Sequence, residues 1–251
     1  MLAVSEGSAC FKNLGGYMKK LESNEIYHSG DTVGSTILKE IAKSSVFHAV
    51  EKPFTTSPAL VLGSACHAVV LEPETFEQEY VVAPKVDKRT KVGKETWAAF
   101  VESAGNKTVL TAEQMEIVQG VKEAVFSHPI AKGMLTGGEA EYSYYSKCPE
   151  TGLDLKCRPD YVNQGALIDL KTTMDASADG FSRQAGNLFY HLQAAFYLDV
   201  YNQANGTNIS EFFFVAVENK APHGVSIWKV GLPEIEAGRN EYKKALKKYA
   251  K

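Results

Sequence analysis

Residues 166–172 (ALIDLKT) constrain this chain more than any other segment. They read as a strand, and side chains along a strand alternate between its two faces. Ile168 and Leu170 then share one face, while Leu167, Asp169 and Lys171 share the other. A carboxylate and an ammonium therefore sit together on an otherwise apolar strand, and burying either charge alone is costly. Asp160 lies on the preceding strand, across the tight turn Asn163-Gln164-Gly165, within side-chain reach of Asp169. The sequence leaves the register of that pairing open. Two neighbouring carboxylates repel unless a proton or a cation lies between them. A hard cation such as Mg²⁺, which takes oxygen ligands, suits the place. Lys171 beside it can polarise a water or steady charge on a phosphate. A buried Asp–Lys ion pair with an Asp near a turn fits the same local pattern.

The segments around this strand set its context. Residues 36–50 have helical spacing. Ser57 can cap a second helix with Pro58 in its first turn, running apolar to Leu71. Residues 85–94 (KVDKRTKVGK) read as a basic loop. Thr111 and Gln114 form a candidate capping box for a helix ending near His128-Pro129. From Glu139 the texture changes to strands: EAEYSYYSK, LDLKCRPDYV and ALIDLKT. Ser177 opens a long helix to about residue 201, followed by strands EFFFVAVEN and GVSIWKV and a basic terminal helix. The pattern β-β-β-α-β-β-α predicts an α/β fold with a mixed sheet, its third and fourth strands joined by a right-handed parallel crossover. Residues 1–25 are expected to form a flexible arm. Residues 26–251 then make one domain, helical to about 135 and built on the mixed sheet from about 136.

Composition narrows the function classes. A chain of 251 residues can bury a core without disulfide or metal staples. Its net charge of −3 is unlike that of a broadly basic nucleic-acid binder, so any DNA contact must come from a local patch. Cys10, Cys66, Cys148 and Cys157 lie far apart with no CxxC pair, which argues against zinc-ribbon and iron–sulfur sites and for reduced thiols. Neither a signal peptide nor an apolar run near the ~20 residues of a membrane span occurs, so a soluble cytoplasmic protein is expected.

Further residues gather around the Asp–Lys strand. Gly63 and His67 are spaced i, i+4 on the second helix, Gly63 leaving room for close approach and His67 offering an imidazole. A lone histidine on an apolar helix also suits an ordinary core position. Glu141 begins the first strand of the sheet, or is a solvated edge carboxylate. Gln193 and Tyr197, again i, i+4, can reach the site from the long helix or simply line an amphipathic face.

Together these pieces resemble a known family. Arg158-Pro159-Asp160-Tyr161, followed by Asp169-Leu170-Lys171 with eight residues between the two aspartates, is similar to the PD-(D/E)XK signature. GxxxH at Gly63 and His67, and QxxxY at Gln193 and Tyr197, resemble the flanking motifs of the RecB-like branch of that superfamily. The segments YHSGDTVGSTILKEIAKSS, GSACHAVVLEPETFEQEYVVAP, TGLDLKCRPD and DLKTTMDASADGF resemble the C-terminal nuclease domain of RecE-type exonucleases (exonuclease VIII) and their phage relatives.

The resemblance implies a restriction-endonuclease-like core, a central mixed sheet flanked by helices behind a helical N-terminal half. It makes His67, Asp160 and Asp169 metal ligands, helped by the Leu170 carbonyl. Lys171 becomes the catalytic lysine, with Gln193, Tyr197 and Glu141 serving the same site. The activity implied is a Mg²⁺-dependent double-stranded DNA exonuclease, with Mn²⁺ as a substitute and two ions about 3.5–4 Å apart. Its polarity would be 5′→3′, releasing 5′-mononucleotides and leaving 3′ single-stranded overhangs for recombination. The partners implied are duplex DNA with a free end, a RecT-like annealing protein and further copies of the chain, as a tetramer before a trimer, in a bacterial cell carrying a phage or prophage. Arg183 and the loop residues Lys88, Arg89 and Lys91 are candidate DNA contacts, unless they are merely solvated. An endonuclease or branch-trimming nuclease on the same core, and a non-catalytic DNA-binding module, remain alternatives.

Overall fold

The computed structural model describes residues 11–14, 17–51 and 55–251. The first half holds strands β1 (Phe11–Leu14) and β2 (Tyr17–Lys20), then helices α1 (Asn24–His28), α2 (Ser35–Lys43) and α3 (Val46–Glu51). Helices α4 (Pro58–Leu71) and α5 (Pro73–Glu79) follow, then strand β3 (Tyr80–Val82), α6 (Lys91–Ala104) and strand β4 (Thr108–Leu110). Helices α7 (Ala112–Ser127) and α8 (Pro129–Met134) close this half. Five strands come next: β5 (Glu139–Ala140), β6 (Ser143–Lys147), β7 (Asp154–Cys157), β8 (Tyr161–Asn163) and β9 (Ala166–Thr173). The chain ends through α9 (Ala178–Asn187), α10 (Tyr190–Asn205), β10 (Glu211–Glu218), β11 (Val225–Lys229) and α11 (Leu232–Tyr249).

Local chemistry places several helix starts where the sequence marks them. Ser57 Oγ accepts from Leu60 N at 3.2 Å, ahead of Pro58. Thr111 and Gln114 bond reciprocally at 3.1 and 2.9 Å, which supplies partners for two N–H groups that a helix start leaves free. Other expectations need correction. The helix expected over 36–50 breaks at Ser44, whose Oγ turns back to Glu40 O at 2.9 Å. The basic loop is shorter than 85–94, because Thr90 accepts from Gly93 N and caps α6. The long helix from Ser177 is two helices, parted at Phe189, whose φ of 54° is left-handed. Residues 1–10 of the expected arm lie outside the described residues. Within that segment Phe11–Leu14 and Tyr17–Lys20 are strands, and β2 pairs with β6.

A five-stranded sheet runs in the order β11-β10-β9-β8-β5. The β9 and β10 strands are parallel and the other pairs antiparallel, so the sheet is mixed as expected. Leu167, Phe212 and Phe214 pack on one face with Leu38, Leu192, Phe196 and Leu246. Ile168, Leu170, Val215 and Val217 pack on the other with Val69, Val118 and Val121. Both faces of the sheet are therefore covered by helices, and β9 carries the near-continuous apolar run such a strand needs.

A second sheet, β1-β2-β6-β7, was not foreseen. Each of the two expected strands before ALIDLKT divides between the sheets. The chain leaves the five-stranded sheet after β5, makes the β6–β7 hairpin in the second sheet, and returns in β8. Glu141, with φ 55°, stands at the exit. Pro159, which has no N–H for a ladder bond, stands at the return. Glu141 N donates to Asp160 O at 3.2 Å, so exit and return touch.

The hairpin between β8 and β9 settles the open register. Tyr161 pairs with Ile168, Val162 with Leu167 and Asn163 with Ala166. One step further, Asp160 stands across from Asp169. Gln164 and Gly165 both have positive φ, 47° and 78°, as a two-residue type I′ turn requires. Gly165→Ala places a side chain in the left-handed region and should cost roughly 1–2 kcal/mol. The check is the urea unfolding midpoint. A midpoint equal to wild type would mean that the turn does not hold the hairpin as described.

Candidate active site

The residues that the sequence gathers around β9 come from five places in the fold. Asp160 follows Pro159 at the return to the five-stranded sheet, and its Oδ2 accepts from Leu170 N at 2.7 Å. His67 projects from α4, its Nδ1 3.3 Å from the same oxygen. Glu141 arrives from the sheet exit. Among the described residues, ligand atoms of His67, Glu141 and Asp160 lie within 4.8 Å of one another. Glu141 was expected to begin a strand; its left-handed backbone between β5 and β6 instead puts it in this group.

Asp169 is fully buried and is held by its neighbours on the other side of β9. Gln193 Nε2, from α10, donates to Asp169 Oδ2 at 2.6 Å. Lys171 Nζ pairs with Asp169 Oδ1. That ammonium also lies 5.0 Å from the centre of the Tyr190 ring, within cation–π range. Both oxygens of Asp169 are thus engaged by protein groups, and Asp169 stands beside the His67–Glu141–Asp160 group instead of within it.

Electrostatics separate the two sets of carboxylates. Burial, then the Glu72 carboxylate, push Glu141 from its ordinary 4.5 up to about 8, with Arg158 acting against them. Burial and then Asp169 hold Asp160 well above its ordinary value. Burial and then Lys171 lower His67 to about 4, so at neutral pH its imidazole is uncharged and free to ligate. Its contact with Asp160 is therefore not an ion pair. Burial opposes the charge on Lys171, but Asp169 and Asp160 outweigh it and raise its pKa, so the lysine keeps its proton. Two carboxylates short of compensating charge beside a neutral imidazole make a donor set that fits a divalent cation.

The remaining predicted residues are placed less directly. Tyr197 is buried one helical turn beyond Gln193, and burial raises its phenol well above the ordinary value. A Cβ on Gly63 would sit 3.7 Å from Thr172 Oγ1, an ordinary contact, so the approach of α4 to β9 does not itself require glycine there. Arg183 is exposed on α9. In the basic loop, Arg89 makes two 3.0 Å bonds to the Asp87 carboxylate, and Lys91 lies 4.0 Å from Glu95. Lys88 lies over the Trp97 ring at 3.0 Å. Sequence reasoning missed Lys39, Glu72, Arg158 and Tyr190. Lys39, flanked by the buried Leu38 and Ile41, reads as an ordinary outward lysine on α2, although its Nζ donates to Gln193 Oε1 at 3.1 Å.

The sequence matches a family model over residues 37–251, described as a PDDEXK-like domain of unknown function (DUF3799). The chain belongs to that family. No curated protein sequence matches it. Among solved structures, a candidate exonuclease from Eubacterium rectale superposes with a TM-score of 0.63 at 16% identity, over 91% of this chain and 86% of that one. A phage-related exonuclease from Haemophilus somnus 129PT aligns at 13% identity over 74% and 92%, with a TM-score of 0.34. The PDDEXK-like chain thus has a nuclease fold, of the class that generally uses divalent metal ions on DNA. None of its described helices is long and apolar enough to cross a membrane.

The Glu141 shift has a measurable consequence in metal-free protein. A carboxyl raised on folding stabilises the PDDEXK-like chain fully below its unfolded value near 4.5, and that contribution is lost as pH rises toward about 8. Across this window the melting temperature of wild type should fall relative to Glu141→Gln, and saturating Mn²⁺ should reverse the difference. Parallel pH profiles would remove Glu141 from the cluster.

Proposed function

We propose that this chain is a Mg²⁺-dependent double-stranded DNA exonuclease. The observation that carries the reading is the meeting of His67, Glu141 and Asp160 beside an Asp169–Lys171 pair whose lysine stays protonated. His67, Glu141 and Asp160 would hold the cation, with Asp169 and the Leu170 carbonyl added by resemblance to RecE-type nucleases. A bound divalent ion supplies Lewis-acid polarisation of the phosphate and eases loss of a proton from water; the resemblance favours two Mg²⁺ ions, with Mn²⁺ able to substitute.

The chain's own groups divide the remaining work. Because Lys171 is an ammonium and not a free amine, its part is to stabilise negative charge growing on the phosphate, not to abstract a proton. Tyr190 and Asp169 hold that ammonium in place. Gln193 orients Asp169 by donating to its Oδ2, and Tyr197 supports the same helix face. Water adds to phosphorus as the P–O3′ bond breaks, leaving a 5′-phosphate and a 3′-hydroxyl. Exonuclease action with 5′→3′ polarity, release of 5′-mononucleotides and retention of 3′ overhangs follow the RecE-type resemblance, and the description of the Eubacterium rectale protein supports the exonuclease part.

Substrate contacts should be to the phosphate backbone, since a nuclease that moves along any sequence gains nothing from reading bases. Arg183 is exposed for this role. Lys88, Arg89 and Lys91 would have to exchange their local partners for phosphate. A ring of four copies would repeat these few cations around one duplex, which suits a chain of net charge −3. The setting proposed is the bacterial cytoplasm, as a phage or prophage product acting beside a RecT-like annealing protein.

Digestion of linear duplex carrying separate 5′ and 3′ labels, with covalently closed circles alongside, tests the reading. Mg²⁺ should support loss of the 5′ label first and spare the circles, and chelation should abolish cleavage. Lys171→Ala should fold and lose about 10²-fold or more in kcat. Cleavage of closed circles would favour an endonuclease, and undiminished cleavage by Lys171→Ala would sink the assigned centre.

A further inference from the structure

The helical half brings a second cation to this site. Lys39 Nζ, from α2, donates to Gln193 Oε1 at 3.1 Å. The other end of the same carboxamide, Gln193 Nε2, donates to Asp169 Oδ2 at 2.6 Å. Gln193 is only 5% exposed and Asp169 is fully buried, so bulk water is a poor substitute for either bond.

A carboxamide has an acceptor at one end and two donors at the other, in nearly the same shape. A half-turn about its last bond exchanges them. An ionised carboxylate only accepts and an ammonium only donates. Between two such neighbours, one orientation makes both bonds and the reverse sets oxygen against carboxylate and NH₂ against ammonium. Asp169 alone selects the same orientation, but it leaves a buried carbonyl oxygen with no donor, which the side chain relieves by turning away from Asp169. Burial and then Lys171 lower Lys39 to about 8, while Asp169 acts the other way, so Lys39 belongs to the field of the site and not to the outer surface of α2.

We propose that Lys39 is a positioning residue of this site: its ammonium fixes the Gln193 carboxamide with NH₂ toward Asp169, and thereby fixes the Asp169 carboxylate beside Lys171. The consequences for metal affinity and catalysis rest on the nuclease reading, in which Asp169 joins the ligands by resemblance; the hydrogen-bonded chain Lys39–Gln193–Asp169 does not.

The test is a cycle of Mn²⁺ affinities, measured by calorimetry without DNA, for wild type, Lys39→Met, Gln193→Leu and the double variant. Lys39→Met keeps the apolar stem and removes the donors. Each single change should weaken Mn²⁺ binding about 10-fold, the usual size for losing a residue that supports a metal ligand. The double variant should also lose only about 10-fold, because once Gln193 is gone Lys39 has nothing to orient. Lys39→Arg, which keeps donors, should recover most of the affinity. On linear duplex, Lys39→Met should lower kcat and leave KM unchanged. Wild-type affinity in Lys39→Met overturns the proposal. So does a double variant in which the two losses multiply, which makes Lys39 and Gln193 act independently, or a raised KM alone, which makes Lys39 a direct DNA contact. Wild type that binds Mn²⁺ yet cuts no DNA removes the DNA-cutting part of that reading and leaves the affinity cycle decisive for Lys39. Wild type that binds no Mn²⁺ overturns both.

Discussion

Carboxylates taken out of water beside one another lose hydration and repel, and both effects act at once where Glu141, Asp160 and Asp169 converge. The protein compensates them unequally. Asp169 receives a full cation and a carboxamide donor, from Lys171 and Gln193. Asp160 receives one backbone N–H, from Leu170, and Glu141 feels Arg158 while crowded by Glu72. Hence the proton affinities of Glu141 and Asp160 rise, whereas Lys171 beside Asp169 keeps its proton. A protein that only needed a stable core would place apolar side chains here, since buried ionic groups are seldom a net gain in stability. The unequal compensation leaves negative charge for something outside the chain to balance, next to an imidazole that burial keeps neutral.

The backbone makes this crowding unavoidable. Because β5 and β8 belong to one sheet while β6 and β7 belong to another, the chain must turn out of the first sheet and back into it within about twenty residues. The two corners are neighbours, joined by Glu141 N to Asp160 O. A strand interior would alternate its side chains between faces. A corner is free of that rule, and the left-handed φ of Glu141 turns its side chain toward Asp160. The carboxylates are therefore presented at the gap between two sheets.

How legible this was in the sequence follows from the range of each interaction. Short-range chemistry was readable: the Ser57 and Thr111 caps, the Gln164-Gly165 turn and the alternation along β9 each depend on residues a few positions apart. The mixed sheet with parallel β9 and β10 followed from element order. The division of two expected strands between two sheets was not readable, because EAEYSYYSK alternates through Glu141 without a break, and only the competing pairing of β6 with β2 pulls it away. The same limit hid Lys39 and Glu72. On α2, Lys39 has no apolar or motif signal of its own, and its partner Gln193 is 154 positions away. Strand alternation and a short turn pointed to Asp160, Asp169 and Lys171, whereas His67 was joined to them only by a resemblance, because no local rule connects α4 with β9.

The two halves of the chain meet in this site, and one residue does most of the joining. Leu170 and Asp169 are adjacent on β9 but face opposite layers, Leu170 toward the α4 and α7 side and Asp169 toward Gln193 on α10. A side chain from either layer alone reaches one face of the strand. Asp160 stands at the strand end opposite Asp169, where it is not confined to one face. Its Oδ2 accepts from Leu170 N and approaches His67 Nδ1 from the helical half, and its carbonyl accepts from Glu141 N at the sheet exit. Three segments distant in sequence thereby meet at one residue, two of them through backbone groups (Leu170 N and Glu141 N), and such contacts vary less than contacts between long side chains. That rigidity is what a charge cluster needs if an ion is to find its ligands already in place, because ordering flexible carboxylates around it would cost conformational entropy at the moment of binding.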